Sequence, residues 1–241
     1  MHDVKRINVM EGILDENNHI SIHINEFLSG NDVLCVNQMG APGVGKTTVL
    51  KNIIKHLKDV KPYVIEGDIE SDLDTQDLRK LGIKAYQINT FGACHLDAPM
   101  IHNMVSNIDF DKKGILFIEN IGNLVCPAEF SIGEHIKMLI TSVTEGSDKP
   151  HKYPLAFEKA DLILLNKADL APYVDFDEDF YTKGVRALNK DVPIFTVSGR
   201  TGEGFKEVAD WLCEKLGNIK KAEHHHHHHH EHHEHEDHDK N

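Results

Sequence analysis

The segment Gly40-Ala41-Pro42-Gly43-Val44-Gly45-Lys46-Thr47 fits the pattern G-x-x-x-x-G-K-[ST]. The apolar run Val33-Leu34-Cys35-Val36 precedes it, and Val49 to Leu57 follows with helical spacing. Strand, glycine-rich loop and helix in that order are the context in which this pattern cradles phosphates instead of making an ordinary turn. The glycines let backbone N–H groups turn inward, and the helix N-terminus favours an anion. Lys46 brings a cation to the β/γ-phosphates and Thr47 offers a hydroxyl to Mg²⁺. The expected phosphate contacts are therefore Gly40, Gly43, Val44, Gly45, Lys46, Thr47 and Thr48, with Lys46 also serving catalysis.

Strand and helix alternate along the rest of the chain. Apolar runs at Tyr63–Ile65, Lys84–Ile88, Gly114–Ile118, Met138–Val143, Leu162–Leu165 and Ile194–Val197 read as strands. Helical spacing marks Thr75–Leu81, Leu96–Ile108, Asp179–Leu188 and Phe205–Leu216. Fully apolar strands separated by helices imply an α/β fold, a mostly parallel sheet covered on both faces with ligands at the strands' carboxyl ends. Before residue 31, Ile20, Ile24, Phe27 and Leu28 suit an amphipathic helical extension. A nucleotide-binding body over 31–220 and a tail over 221–241 complete the expected organisation.

The base is read from Asn166-Lys167-Ala168-Asp169, an N-K-x-D at a strand end. An Asp169 carboxylate accepts from guanine N1–H and the 2-amino group, donors that adenine lacks there. Asn166 would support the loop, Lys167 would lie along the base, and Ser198-Gly199 follows the last strand. The set selects GTP. Mg²⁺ needs acidic groups at neighbouring strand ends. Asp68 and Glu119 are placed there with Thr47, and Glu119 is also a candidate for catalysis. Asp72 is the candidate water-positioning or switch carboxylate. Asp74 reads as well as a helix cap.

Cys94-His95 follows the third strand and Cys126 lies just beyond the Glu119 strand, so both stretches fall on the nucleotide side of the sheet. Two thiolates and an imidazole suit Ni²⁺ or Zn²⁺, with a fourth ligand from water or a second subunit. Adjacent cysteine and histidine suit an ion bridging two chains better than a closed site in one. From spacing alone, a buried cysteine beside an exposed histidine explains them as well. Cys35 and Cys213 lie on apolar faces and are assigned to the core.

Histidine totals 19, and 11 of these follow Ala222, interleaved from Glu231 onward with carboxylates. A stretch so poor in apolar residues builds no core, and its imidazoles suit metal buffering. The mixture of acids distinguishes it from a purification tag. The net charge of −13 argues against non-specific binding to nucleic acid or anionic lipid. Met1–Asn8 has no secretory apolar region and no apolar run can span a bilayer, so a cytoplasmic location is expected.

From about Val33 to Leu216 the sequence resembles the HypB family of hydrogenase nickel-incorporation GTPases. The stretches that carry the resemblance are Glu66-Gly67-Asp68-Ile69, Cys94-His95-Leu96-Asp97-Ala98, Phe117 to Pro127 (FIENIGNLVCP) and Ser142-Val143-Thr144-Glu145-Gly146. The resemblance implies a P-loop GTPase of the SIMIBI-like dimerising class with slow intrinsic turnover. It implies a homodimer across the nucleotide, nickel or zinc at Cys94, His95 and Cys126 near that interface, and delivery of nickel to the [NiFe]-hydrogenase large subunit with a HypA-type accessory protein. It also implies that Cys126 lies in a segment responding to the γ-phosphate, and that Lys149 meets the nucleotide or the other subunit. Two features depart from the family. Met1–Asn8 has no cysteine, and Asp74-Thr75-Gln76-Asp77-Leu78 stands where an alanine and an arginine are usual. The competing readings are a urease-type nickel GTPase, whose usual Cys-Pro-His is missing here, and a metal-storage protein acting through its tail.

Overall fold

In a computed structural model of the chain, residues 9–68, 78–80, 82–90 and 92–223 are described. Seven strands form one sheet: β1 (Val33–Met39), β2 (Lys61–Asp68), β3 (Lys84–Asn89), β4 (Gly114–Glu119), β5 (Ile136–Ser142), β6 (Leu162–Asn166) and β7 (Ile194–Thr196). Their order is β3-β2-β4-β1-β5-β6-β7, and every pair is parallel. The helices among the described residues include α1 (Val9–Gly30), α2 (Lys46–His56), α3 (Ala98–Val105), α4 (Cys126–Glu129), α5 (Lys149–Lys152), α6 (Pro154–Glu158), α7 (Glu178–Leu188) and α8 (Phe205–Glu223). Within these residues no helix is long and apolar enough to cross a membrane.

Successive side chains of a strand point to opposite sides, and β1, β4, β5 and β6 are buried on both, whereas the edge strands β3 and β7 are mostly half-buried. Leu34 and Val36 of β1 join Ile115 and Phe117 of β4 beneath α2 and α8, where Val49, Ile53, Val208 and Leu212 pack on them. Val33, Cys35, Leu116 and Ile118 face the other way, onto Ile24 and Leu28 of α1 and Ile101 and Val105 of α3. A third cluster joins Leu139 and Ile163 to Phe157, Tyr181 and Val185.

The differences from sequence expectation have local causes. β1 runs past Val36 through Asn37 and Gln38, both fully buried. One atom of each amide is met, since Asn37 Oδ1 accepts from Asn120 Nδ2 (3.1 Å) and Gln38 Nε2 donates to the Lys46 carbonyl (2.6 Å), whereas Asn37 Nδ2 and Gln38 Oε1 have no partner among the described residues. α3 starts at Ala98, not Leu96, since the Asp97 carboxylate caps it by accepting from Met100 N–H at 2.9 Å. In α1, Ile24 and Leu28 are buried, whereas Phe27 is 46 % exposed and meets Phe110 edge-on. Cys35 is a core residue, but Cys213 is only partly buried, so the core assignment fails there. Of the helix expected over Thr75–Leu81 only residues 78–80 are described, and they are helical, with Leu78 buried.

His135 ties α1 to the sheet. Its N–H donates to the Cys35 carbonyl (2.8 Å), its Nδ1 accepts from Cys35 N–H (2.9 Å), and its ring Nε2 lies 2.9 Å from Ser29 Oγ. An accepting Nδ1 puts the proton of the neutral ring on Nε2. Burial pulls this imidazole's pKa down to about 4, outweighing the opposing effect of Glu134. An unfolded histidine titrates near about 6.5, so between the two values the unfolded chain holds a proton that the folded chain does not. The stability from neutral His135 is complete above about pH 6.5 and falls by up to roughly 3 kcal/mol toward pH 4. Denaturant melts from pH 7.5 to 4.5 should show this fall, shallower in His135→Asn. An equal slope in both proteins would mean that His135 is not held neutral.

Candidate nucleotide and metal site

β1 delivers the phosphate loop to the carboxyl edge of the sheet. Gly40 passes so close to β5 that a Cβ there would stand 2.7 Å from the Ile140 carbonyl oxygen. Gly45 precedes α2 in the left-handed region (φ 93°), where a Cβ would also meet Asn166 Nδ2 at 2.9 Å. Both positions require glycine. Gly45, the residue before α2, has no side chain to cap the helix, which suits an N-terminus that meets an anion. Lys46 Nζ lies 3.4 Å from the Gly40 carbonyl. Burial lowers its pKa, while Glu119 and Glu145 act the other way. Thr47 Oγ1 donates to Glu119 Oε1 at 3.0 Å, joining two of the three groups expected at Mg²⁺. Asp68 ends β2 beside Asn89 of β3, and its side chain is outside the described atoms. Asp72 and Asp74 lie outside the described residues. Val44 is buried, so only its backbone can meet a phosphate.

A cavity of about 270 Å³ opens beside the loop, lined by Gly45, Thr48, Asn166, Lys167, Asp169, Leu170, Gly199 and Arg200. Asn166 is buried and holds both sides of it. Its Nδ2 donates to the Val44 carbonyl (2.8 Å) and its Oδ1 accepts from Gly199 N–H (2.9 Å). Lys167 takes a left-handed backbone (φ 59°) and its Nζ donates to the Gly43 carbonyl at 2.6 Å. Ser198 is buried and is absent from the cavity lining. It donates to Asp169 Oδ1 at 2.6 Å, orienting the carboxylate. Leu170 and Arg200 were not singled out in the sequence, although each directly follows a residue that was.

The metal candidates converge farther along the same rim. Cys94 Sγ stands 3.3 Å from Cys126 Sγ and 3.4 Å from His95 Nδ1. The three donor atoms all lie within 4.8 Å of one another, the one such group of three among the described residues. A single chain therefore gathers both thiols and the adjacent imidazole, although adjacent cysteine and histidine suit a bridging ion better than a closed site. The loop does this by curling Cys94 back toward α4 while His95 lies over the Phe130 ring (4.3 Å between centres). The hydrogen bond to Cys126, with a smaller effect of burial, pushes the Cys94 thiol up, and burial pulls His95 down. Lys149 meets its own chain, paired with Glu145 at 3.0 Å and 5.1 Å from the Tyr153 ring centre.

Two asparagines that the motifs did not single out join the halves of this rim. Asn123 bridges Gly40 through its backbone, while its Nδ2 donates to the Cys94 carbonyl (3.2 Å) and its Oδ1 accepts from Val125 N–H (2.9 Å). Asn120, beside Glu119, accepts from the Leu96 and Ile121 N–H groups and donates to Asn37. Only their place inside the Glu119–Cys126 stretch marks them in sequence.

A parallel sheet with a glycine-rich phosphate loop, an N-K-x-D turn across a shared cavity and a thiol–imidazole group on the same edge defines a P-loop nucleotide-binding protein with a candidate metal centre. Residues 34–196 match the family model of the CobW/HypB/UreG nucleotide-binding domain. The chain is 42% identical over 213 residues to the hydrogenase maturation factor HypB of Escherichia coli, spanning 88% of this chain and 73% of that one. Against the probable HypB of Methanocaldococcus jannaschii it is 34% identical, spanning 91% and 100%. The crystal structure of Helicobacter pylori HypB in complex with nickel superposes with a TM-score of 0.79 at 34% identity, over 84% of this chain and 96% of that one. Archaeoglobus fulgidus HypB gives 0.79 at 38%, over 84% and 100%. The chain belongs to the HypB hydrogenase maturation factors of the CobW/HypB/UreG family.

Asn166→Ala removes both ties across the cavity. It should cost about 1–3 kcal/mol of stability, measured by denaturant unfolding without nucleotide. An unchanged midpoint would mean that these bonds contribute nothing net.

Proposed function

We propose that the chain hydrolyses GTP and uses the nucleotide state to hold and release nickel at Cys94, His95 and Cys126 during hydrogenase maturation. The observation that carries this reading is Asn123, which touches the phosphate loop at Gly40, the Cys94 carbonyl and the N–H next to Cys126. A shift of the loop on losing a γ-phosphate must move Asn123 or break one of these contacts. Either changes the separation of the two thiols, and metal affinity follows ligand geometry. The nickel in the Helicobacter pylori relative supports the choice of ion, and the same donors suit Zn²⁺.

In the nucleotide half, the N–H groups from Gly43 to Thr48 cradle the phosphates, and Lys46 neutralises charge that develops between β- and γ-phosphates. Thr47, Asp68 and Glu119 would hold Mg²⁺, which bridges phosphate oxygens and draws off charge when bound. Asp72 is assigned to the attacking water. Asp169 selects guanine, steadied by Ser198, while Asn166 and Gly199 shape the cavity and Lys167 lies along the base.

The fourth metal ligand and the partners are assigned to the same rim. Val125, just before Cys126, is 57 % exposed and Tyr173 is 83 % exposed, apolar surface that suits a second copy across the nucleotide. A HypA-type accessory protein and the hydrogenase large subunit would exchange metal there. The setting is cytoplasmic, with no role for nucleic acid or membrane. The tail beyond residue 220 serves as a metal buffer, distinct from the 31–220 body and the 1–30 extension. Intrinsic turnover is slow.

Asp169→Asn replaces an acceptor with a donor. It should weaken GTP by roughly 10–150-fold, the loss of a charged hydrogen bond, and favour xanthosine triphosphate, whose 2-oxo group accepts. Equal GTP affinity would sink the guanine assignment. Competition with a chromophoric chelator, with GDP and with a non-hydrolysable GTP analogue, tests the coupling. Nickel affinity at the cysteine site should differ between nucleotides. The site should be lost in Cys94→Ser or Cys126→Ser, and Asn123→Ala should bind nickel equally in both nucleotide states. If removing the tail takes away all tight nickel binding, the storage reading replaces this one.

A further inference from the structure

His19 and His23 lie one turn apart on α1, their ring centres 4.6 Å apart and their planes at 74°. His23 Nδ1 is 3.7 Å from Glu26 Oε2, one turn farther along. Across a cavity of about 330 Å³ from His23, α3 presents His102, and Ile20, Pro99 and Asn103 complete the lining. All three imidazoles are exposed. Burial in α1 is supplied by other residues, Ile24 and Leu28 at the sheet and Ile20 beside them, so packing does not require histidine at 19 or 23.

We propose that this α1–α3 face is a second divalent transition-metal site, with His19 and His23 as a chelating pair and His102 as the third donor. Side chains four apart on a helix stand on one face, the spacing by which helical histidine pairs hold zinc. Two imidazoles bound to one ion at about 2.0–2.1 Å bring their ring centres to roughly 4.5–5 Å, and His19 and His23 already stand at 4.6 Å. Glu26, 3.7 Å from His23 Nδ1, offers the carboxylate that a metal-bound histidine normally engages through its other nitrogen, which assigns His23 Nε2 to the ion. The donor atoms of His19, His23 and His102 do not all lie within 4.8 Å of one another, since the one three-donor group at that spacing among the described residues is the Cys94 cluster, and His102 is the donor on the other helix. It joins by turning its exposed ring, which no hydrogen bond holds among the described residues. An all-imidazole set suits Ni²⁺, Zn²⁺ or Cu²⁺ without selecting among them. The site is independent of the nucleotide reading, and α3 begins at Ala98, directly beyond the Cys94–Asp97 loop.

The test is a Zn²⁺ titration of the full chain at pH 7.5, following ring-nitrogen NMR resonances of individual histidines. The rings of His19, His23 and His102 should shift together and saturate, in the native chain and in the Cys94→Ser/Cys126→Ser variant. Exposed His56 and His151 should stay still as controls. His19→Gln should abolish the His23 and His102 shifts, with circular dichroism unchanged, and Glu26→Gln should weaken the binding by roughly tenfold or more. Three results would each overturn the proposal. The His19 and His23 rings stay still while the tail and the cysteine cluster fill, they drift without saturation alongside His56 and His151, or they saturate with His102 unmoved.

Discussion

Side-by-side strands in a parallel sheet all end on the same side, and that constraint places nearly all the chemistry of this chain. β1 runs into the phosphate loop, β4 ends at Glu119, and β6 ends at Asn166. The segment after β3 carries Cys94 and His95. The strand order β3-β2-β4-β1-β5-β6-β7 sets their sequence along the edge. The Asn166–Asp169 turn stands on one flank of the phosphate loop and the thiols on the other. A nucleotide seated on β1 is therefore flanked by both, as expected where ligands meet the carboxyl ends of an open α/β sheet.

What couples the flanks is a set of asparagines and not a charge network. Asn120, Asn123 and Asn166 each bond more than one segment, and all three tie directly to the phosphate loop, its preceding strand or the loop of Cys94. An amide side chain both donates and accepts, so one residue can join a carbonyl on one loop to an N–H on another. In a buried setting such bonds demand geometry, because an unmet partner is costly. That makes the rim suited to switching between discrete arrangements.

Much of the fold was legible because its signals are local. Apolar runs bounded by glycine, proline and polar residues marked all seven strands, and helical spacing marked α2, α7 and α8. The failures were also local in kind. β1 hides two polar residues that read as loop, and the partners that meet one atom of each, Asn120 and the Lys46 carbonyl, are set by the fold. Leu96 was placed in a helix because apolar spacing continues into it, whereas the Asp97 cap starts the helix later. Cys213 was placed in the core although its side of α8 is only half covered.

The sequence by itself determined the class of nucleotide site, since Gly40–Thr47 and Asn166–Asp169 are continuous stretches whose chemistry depends on residues adjacent in the chain. It also determined the candidate metal donors as residue types. Only the tertiary structure decided that Cys94, His95 and Cys126 meet within one chain, that Ser198 serves Asp169 instead of lining the cavity, and that Asn123 touches both functional loops. It likewise decided that His102 of α3 faces the cavity beside His23 of α1. These are contacts between residues far apart in the chain. Periodicity and local motifs carry the conformation of a segment but not the identity of what packs against it.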